Sequence, residues 1–471
     1  MRTAILLALL FSGFTPAQVS QTGSELARAG WTEAAIAAFR KQIELTPESF
    51  SAHANLGRLY YQLQRYSEAV PELEKAVAIN AEDRDSQINL GGAYLGIGQA
   101  GRGLAVLDKV VQDHPSLDTL NFVASCLASH KVWLDRAQQY SEAAVGTIAT
   151  EVRVNGLEHI TPLIFRRVST LSYFWDTLGW VHFQRGNLDD ANRFLNAAWL
   201  LSQQGVTGDH LGQLYERRGQ KQEAIRAFAG ALAAGGVLPH TRSRLASIVG
   251  GEDQIEPLVR RARDELVAMR TLKVGKLLAE KAAAEFYVAL VRAPSVPEVK
   301  FIGGDERLRQ FTKSLQAVAL PGVFPDSTTT VLVRRGTLTC PGEGGECVLE
   351  MLTTTAAAKA ESNATPSDTG AQVAPGVFRV GGRVTAPVPI HRVEPQYSEK
   401  ARAAKLHGVV VLYVEITPEG LPSNLRVMRG LGMGLDEEAI KAVKKWKFRP
   451  GLKDGKPITV AATVEVIFKL L

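Results

Sequence analysis

Three cysteines, one glycine-rich loop and one run of alternating aromatics and bases are the residues here whose types and spacing invite a chemical reading. Cys340 and Cys347 bracket CPGEGGEC. A glycine-rich stretch of that length can bend, so in an exported chain the two sulfurs read first as a disulfide. Free thiols and a metal-ligand pair are the alternatives, and two sulfurs without a second Cys or His pair nearby make a poor zinc site. Cys126 lies in a helical stretch and reads as a small core residue. Gly96, Gly98 and Gly101 in GIGQAG have the G-x-G-x-x-G spacing of a dinucleotide-binding turn. That turn needs a preceding strand and a βαβ unit, and these glycines stand between two helical stretches instead. No H-E-x-x-H, G-x-S-x-G, phosphate loop or catalytic carboxylate pair occurs. The expectation is a chain with no catalytic residue, no bound metal and no cofactor, hence a binding protein rather than an enzyme.

The aromatic–basic run is GLDEEAIKAVKKWKFRP, Gly434 to Pro450. Asp436, Glu437 and Glu438 suit the start of a helix, and Lys441, Lys444 and Lys445 suit its end, because each charge opposes the local end of the helix dipole. Leu435, Ala439, Val443 and Trp446 recur at helical spacing and predict one buried face. Trp446 and Phe448 then alternate with Lys447 and Arg449, as inward and outward residues do along extended chain. Upstream, EKARAAK reads as a short helix. GVVVLYVEIT reads as a strand with Val410, Leu412, Val414 and Ile416 on one face, and NLRVMRG as a second strand. Downstream, ITVAATVEVIFKLL reads as a last strand with Val460, Ala462, Val464, Val466 and Phe468 inward.

These pieces together resemble the TonB C-terminal domain. The shared elements are Pro395-Gln396-Tyr397, the alternating strand and its Pro-x-Gly turn, LDEEAIKAVKKWKFRP, DGKP, and a final strand containing Phe. The resemblance implies a small antiparallel sheet packed on helices. It also implies a function: in that family the domain pairs with a short segment at the inner end of an outer-membrane transporter, which adds as a strand to an exposed edge. The corresponding edge here is Val460, Ala461, Ala462, Thr463, Val464, Glu465, Val466, Ile467 and Phe468, with Gln396 and Tyr397 in the segment that helps hold the partner. The sequence as it stands ends at Leu471, directly after this strand, so the strand is expected to be uncovered. Ser398 stands where the family has a proline, and the family's Pro-Glu/Pro-Lys rod is absent.

The elements that carry this domain are repeats. Asn55, Leu56, Gly57, Tyr60 and Leu73 recur 34 residues later as Asn89, Leu90, Gly91, Tyr94 and Leu107. Pro47 and Pro115 fall in the same frame. The pattern returns at Leu178, Gly179, Ala191, Leu195 and Ala198, repeated after 33 residues at Leu211, Gly212, Ala224, Phe228 and Ala231. This period resembles the tetratricopeptide repeat, in which each unit is a helix pair and stacking buries a continuous core. About six such units are expected. Such solenoids often bind peptides on the inner face, where Asn55, Arg58 and Asn89 are the candidates; capping or linking of neighbouring helices is the structural alternative for the asparagines.

The N-terminus, MRTAILLALLFSGFTPAQ, has one Arg, an apolar run from Ala4 to about Phe14 and a small-residue site near Ala17. That is the pattern of a cleaved export signal, and the run falls short of the roughly 20 residues needed to span a bilayer. Residues 387–471 hold 14 Lys and Arg against 9 Asp and Glu, most of the chain's net charge of +6. No clustered Arg run accompanies them, so nucleic acid is not expected.

The resulting map is a signal peptide at 1–17, tetratricopeptide repeats at 18–145, a helical insertion at 146–171 and further repeats at 172–251. A helix plus a small α/β domain follows at 252–351, in which a turn is expected at Gly336. A flexible linker, poor in large apolar residues, occupies 352–386, and the TonB-like domain 387–471. The fold class is multidomain: an α-solenoid of helix pairs, a small α/β middle domain and a C-terminal α+β domain. The expected partners are proteins or peptides of the periplasm, among them an outer-membrane transporter. Two functions follow. One passes transport energy and needs a retained anchor and an inner-membrane motor, which a short, cleaved N-terminal segment disfavours. The other is a periplasmic scaffold with no energy transduction.

Overall fold

The computed structural model describes residues 23–27, 31–154, 156–157, 160–236, 238, 240–292, 297–316, 324–364, 372–374, 376–379, 384–403, 408–429, 431, 433–453 and 455–468. The expected signal peptide lies outside them. The chain divides into two compact units, Met1–Lys359 and Ala360–Leu471. Among the described residues no helix is long and apolar enough to cross a membrane.

In the first unit a helical stretch at 23–27 precedes α1 (Thr32–Leu45), and the chain continues as helix pairs. These are α2 (Phe50–Gln62) with α3 (Tyr66–Ile79), α4 (Arg84–Gly96) with α5 (Ala100–Asp113), and α6 (Leu117–Ser129) with α7 (Leu134–Glu151). Then come α8 (Pro162–Arg185) with α9 (Leu188–Ser202) and α10 (Gly205–Arg217) with α11 (Lys221–Ala234). The starts of α2, α4 and α6 are fixed by Ser49, Asp83 and Ser116, whose side chains accept from Ala52, Ser86 and Thr119 N–H groups. Such caps satisfy donors that the first helical turn leaves free. The helices of a pair approach so closely that only glycine fits. A Cβ on Gly57, Gly91, Gly179 or Gly212 would lie 2.6, 2.7, 2.8 or 2.4 Å from the Leu73, Leu107, Leu195 or Phe228 side chain. Successive pairs are also tied by a polar series that the repeat frame contains but that apolar matching overlooks. His53 and Gln87, both buried, reach the carbonyls of Pro47 and Ala81, each six residues upstream. Gly96 closes α4 and Gly98, at φ 79°, makes the turn into α5, so the G-x-G-x-x-G spacing is turn chemistry.

After α12 (Thr241–Val249) and α13 (Ile255–Ala268) the chain builds a five-stranded antiparallel sheet. Its strands are β1 (Thr271–Gly275), β2 (Lys281–Val291), β3 (Glu298–Gly304), β4 (Val331–Pro341) and β5 (Cys347–Met351), in the order β1-β5-β4-β2-β3. The turn expected at Gly336 is not there. β4 runs straight through it, and the glycine serves close packing instead: a Cβ at that point would lie 3.0 Å from Met351 Sδ and 3.2 Å from the Glu350 carbonyl oxygen. Nor is the sheet a separate core. Phe165, Phe174 and Trp175 of α8 belong to one buried cluster with Phe286, Leu332 and Leu349 of the sheet. The stretch 146–171 is the end of α7, a connection, and the first turns of α8, which carry that packing face. Where a linker was expected, α14 (Thr312–Leu315) having intervened earlier, α15 spans Thr354–Ala364 and Ala357 is buried in the same cluster. Alanine's high helix propensity explains it: TTAAAKAESNA lacks large apolar residues but needs none to be helical.

The second unit contains β6 (Gln372–Ala374), β7 (Val377–Arg379), β8 (Val388–His391), α16 (Glu399–Ala403), β9 (Gly408–Ile416) and β10 (Pro422–Arg429). It continues with α17 (Leu435–Val443), β11 (Lys447–Arg449), β12 (Gly451–Lys453) and β13 (Lys456–Phe468). The main sheet runs β10-β9-β13-β7-β6, β12 pairs with the start of β13, and β11 pairs with β8. Val410, Leu412, Val414 and Ile416 of β9 and Val464, Val466 and Phe468 of β13 bury against Leu435, Ala439, Val443 and Trp446.

Candidate functional site

β13 is held on its inner side over its last nine residues. It pairs antiparallel with β9 from Val460 opposite Ile416 to Phe468 opposite Gly408. Its outer side is occupied only in part. Thr459, Val460 and Ala461 pair there in parallel with Val377, Phe378 and Arg379 of β7; the start of the strand, Lys456 to Ile458, pairs with Lys453 to Gly451 of β12. From Ala462 to Phe468 no strand of the described residues lies on the outer side. The edge expected at Val460–Phe468 therefore divides. Val460 and Ala461 are met by the chain's own segment, whereas Ala462, Thr463, Val464, Glu465, Val466, Ile467 and Phe468 have no outer partner strand among the described residues.

The side chains on this stretch alternate. Val464, Val466 and Phe468 are buried, and Thr463, Glu465 and Ile467 are exposed, Ile467 to 54%. Behind the edge, Tyr413, Val411 and Val409 of β9 stand opposite Thr463, Glu465 and Ile467. Tyr413 donates to Glu415 Oε1 at 2.8 Å, and the Arg426 guanidinium sits 5.8 Å from the Tyr413 ring. The open face of the sheet thus mixes apolar, aromatic and charged groups.

Trp446 and Phe448 anchor the support for this edge. Both are buried, their rings 6.1 Å apart, and Trp446 Nε1 donates to the Val393 carbonyl at 2.9 Å. Lys447 and Arg449 are exposed between them. Of the two upstream candidates, Tyr397 reaches the strand: its ring meets Phe468 edge-on at 5.5 Å and 88°. Its hydroxyl is buried without a hydrogen-bond partner among the described residues, and that burial pushes its pKa up. Gln396 is exposed. Ser398 replaces the family's proline with a cap. Its Oγ accepts from Ala401 N at 3.1 Å and donates to the Met433 carbonyl, tying α16 to the turn before α17.

On the repeats, Asn55 and Asn89 are half-buried and Arg58 is exposed. Arg58 Nη2 donates to Asn55 Oδ1 at 3.0 Å, so this asparagine carbonyl is engaged within its own helix. One period beyond Asn89 stands Val123, which is buried, so the row of asparagines ends after two. Cys340 and Cys347 are joined in a disulfide between β4 and β5. Cys126 is free and buried, which pushes its thiol up to about 12 and leaves it unreactive. Among the described residues no group of three or more His, Cys, Asp or Glu is placed to hold a metal ion.

The residue signal that sequence reasoning missed is β7. PGVFRV carries a glycine turn followed by apolar residues, a weak strand pattern in a stretch whose composition reads as linker.

Comparison with known proteins follows the same division. Residues 393–470 match the family model of the Gram-negative bacterial TonB protein C-terminal, and residues 50–83 that of the tetratricopeptide repeat. Protein tonB2 of Pseudomonas aeruginosa is 34% identical over 82 residues, which cover 17% of this chain and 30% of that protein. Protein TonB of Escherichia coli is 29% identical over 87 residues, 18% of this chain and 34% of its own length. The chain thus spans about a third of the length of these curated relatives. Among solved structures, a thermophilic TPR protein of Thermus thermophilus is 19% identical, with 50% of this chain and 99% of that one covered at a TM-score of 0.29. The yeast Tom70 is 16% identical, with 49% and 46% covered at a TM-score of 0.32. The likeness is therefore one of parts: tetratricopeptide helix pairs in the first unit and a TonB-type C-terminal domain in the second, both protein-interaction modules.

Proposed function

We propose that the second unit captures an extended segment of a cell-envelope protein by strand addition along Ala462–Phe468, while the repeats hold a second protein. The observation that carries this reading is the outer edge of β13 at Ala462–Phe468, unpaired among the described residues, in a domain of TonB type, with Thr463, Glu465 and Ile467 exposed along it. A ladder edge without a partner is an aggregation liability, so a protein that keeps one has a use for it. In this reading the protein works in the periplasm, the segment belongs to an outer-membrane transporter, and the inner face around Asn55, Arg58 and Asn89 contributes to the second contact. Linking two modules raises the avidity for partners that are themselves held together. No catalysis is involved. The scaffold reading is preferred to energy transduction because the apolar run from Ala4 to about Phe14 falls short of the roughly 20 residues a spanning helix needs.

Proline scanning tests the edge. Proline removes one backbone donor. Residues 462 and 463 direct their N–H groups to opposite sides of the strand, so of Ala462→Pro, Thr463→Pro and Glu465→Pro at least one removes an outward donor and leaves the β9 ladder intact. The folded variant, checked by circular dichroism, is expected to lose envelope proteins that the wild-type chain retains in pull-down. Retention of every partner by each folded variant would place binding elsewhere.

A further inference from the structure

The outer edge of β13 is already met by a strand of this same chain. β7 lies parallel to β13, with Val377 opposite Thr459, Phe378 opposite Val460 and Arg379 opposite Ala461. It is backed by β6, antiparallel, through a turn at Gly376 with φ 80°. Val377 is buried, and Lys453 Nζ lies 4.3 Å from the centre of the Phe378 ring. Immediately downstream the chain is fixed again: Val384 bridges to Lys453, Thr385 N donates to the Leu452 carbonyl at 2.8 Å, and Leu452 N donates to Thr385 Oγ1 at 2.8 Å. The hairpin is thus tethered within a few residues of the strand on which it sits.

We propose that the β6–β7 hairpin is a built-in competitor for the partner-binding edge. A strand adding to Ala462–Phe468 gains more ladder by continuing onto Thr459–Ala461, and it can do so only by displacing β7. Each hairpin strand is three residues long, well below the length of an ordinary strand and marginal as a unit. It is retained because its tether gives it an effective concentration on the order of millimolar. A strand of seven or more residues, with more backbone to pair, outcompetes it; a short or polar segment does not. The device sets a threshold on what binds. β7 also shows what the covered stretch accepts: an extended segment parallel to β13, apolar where Val377 is buried and aromatic beside Lys453.

The inference rests on strand addition as the mode of binding, but its test does not need the envelope partner. The probe is a fluorescein-labelled synthetic peptide with the sequence of residues 372–383, and the readout is anisotropy with the full chain. Val377→Asp, which puts a charge at a buried position, should release the hairpin and raise affinity for the peptide at least tenfold over wild type. A second variant, Val377→Cys with Thr459→Cys, oxidised to lock the two strands, should bind no peptide until reduced. Equal affinity in wild type and Val377→Asp, or peptide binding by the locked form, would overturn the proposal. A competent hairpin with no envelope protein contacting β13 would sink the strand-capture reading alone. Envelope contacts at β13 that Val377→Asp leaves unchanged would sink the competitor alone.

Discussion

At the scale of single residues, Trp446 shows how closely chemistry and position agree. Its place after three lysines and before Lys447-Phe448-Arg449 predicts an inward aromatic at the exit of a helix, and the structure buries it with its indole N–H on the Val393 carbonyl. Truncation to alanine should cost about 3–5 kcal/mol, comparable with the whole stability of a small domain. Hydrogen exchange on full-length Trp446→Ala should therefore show protection lost through residues 408–468 and kept in α2–α11. Loss of protection in both units together would contradict their independence. Other residues were less legible. Ser398 departs from a family pattern, and only the bond to Met433 and the cap on Ala401 N–H show why serine serves there. Asn55 and Asn89 stood out by their spacing, but spacing does not show that Arg58 engages the first of them.

At the scale of elements, the helix pairs were legible because glycine and leucine recur in fixed frame, and that frame is a packing requirement. The sheet of the first unit was legible only as strands. Its fusion with α8 depends on contacts between residues more than a hundred positions apart, which no local pattern encodes. A buried polar network between α8, α10 and α12 was likewise invisible. Asp209, wholly buried, accepts from Thr241 Oγ1 and Gln213 Nε2, each at 2.7 Å. His210 stacks on Trp180 at 4.1 Å, with Nδ1 3.1 Å from Asp176 Oδ1. Burial alone would lower the His210 pKa, but the charge and hydrogen bond of Asp176, together with the Asp209 charge, outweigh it and hold the value above 6.5. Burial alone would raise the Asp209 pKa, but hydrogen bonds from His240, Thr241 and Gln213, together with the nearby His210 charge, hold it below 3.8. By linkage, the His210 contribution is complete below its unfolded value of 6.5 and is lost as pH rises through the elevated folded value. The Asp209 contribution is present above 3.8 and is lost as pH falls through the depressed value. Thermal melting of the full chain should therefore lose stability from this network above pH 6.5. Asp176→Asn, though less stable overall, should show a flatter decline over the same range. Parallel wild-type and variant curves would show that His210 is not protonated in the fold.

At the scale of the whole molecule, the chain consists of two interaction modules, and the legible part of the design was their identity. The illegible part was the stretch between them, where composition reads as linker from 352 to 386. Alanine propensity makes part of it helix, and a short apolar run after Gly376 makes another part a strand on β13. That second departure bears on function, because it leaves Ala462–Phe468 as the edge on offer. The most direct test is site-specific photo-crosslinking in intact cells that make the protein, with benzoylphenylalanine at Thr463 or Ile467 and, as control, at Glu437 on α17. Adducts with an envelope protein from 463 and 467, and none from 437, are the predicted result. Adducts from 437 alone, or none from either edge position while the repeats still retain a partner, would contradict strand capture at β13.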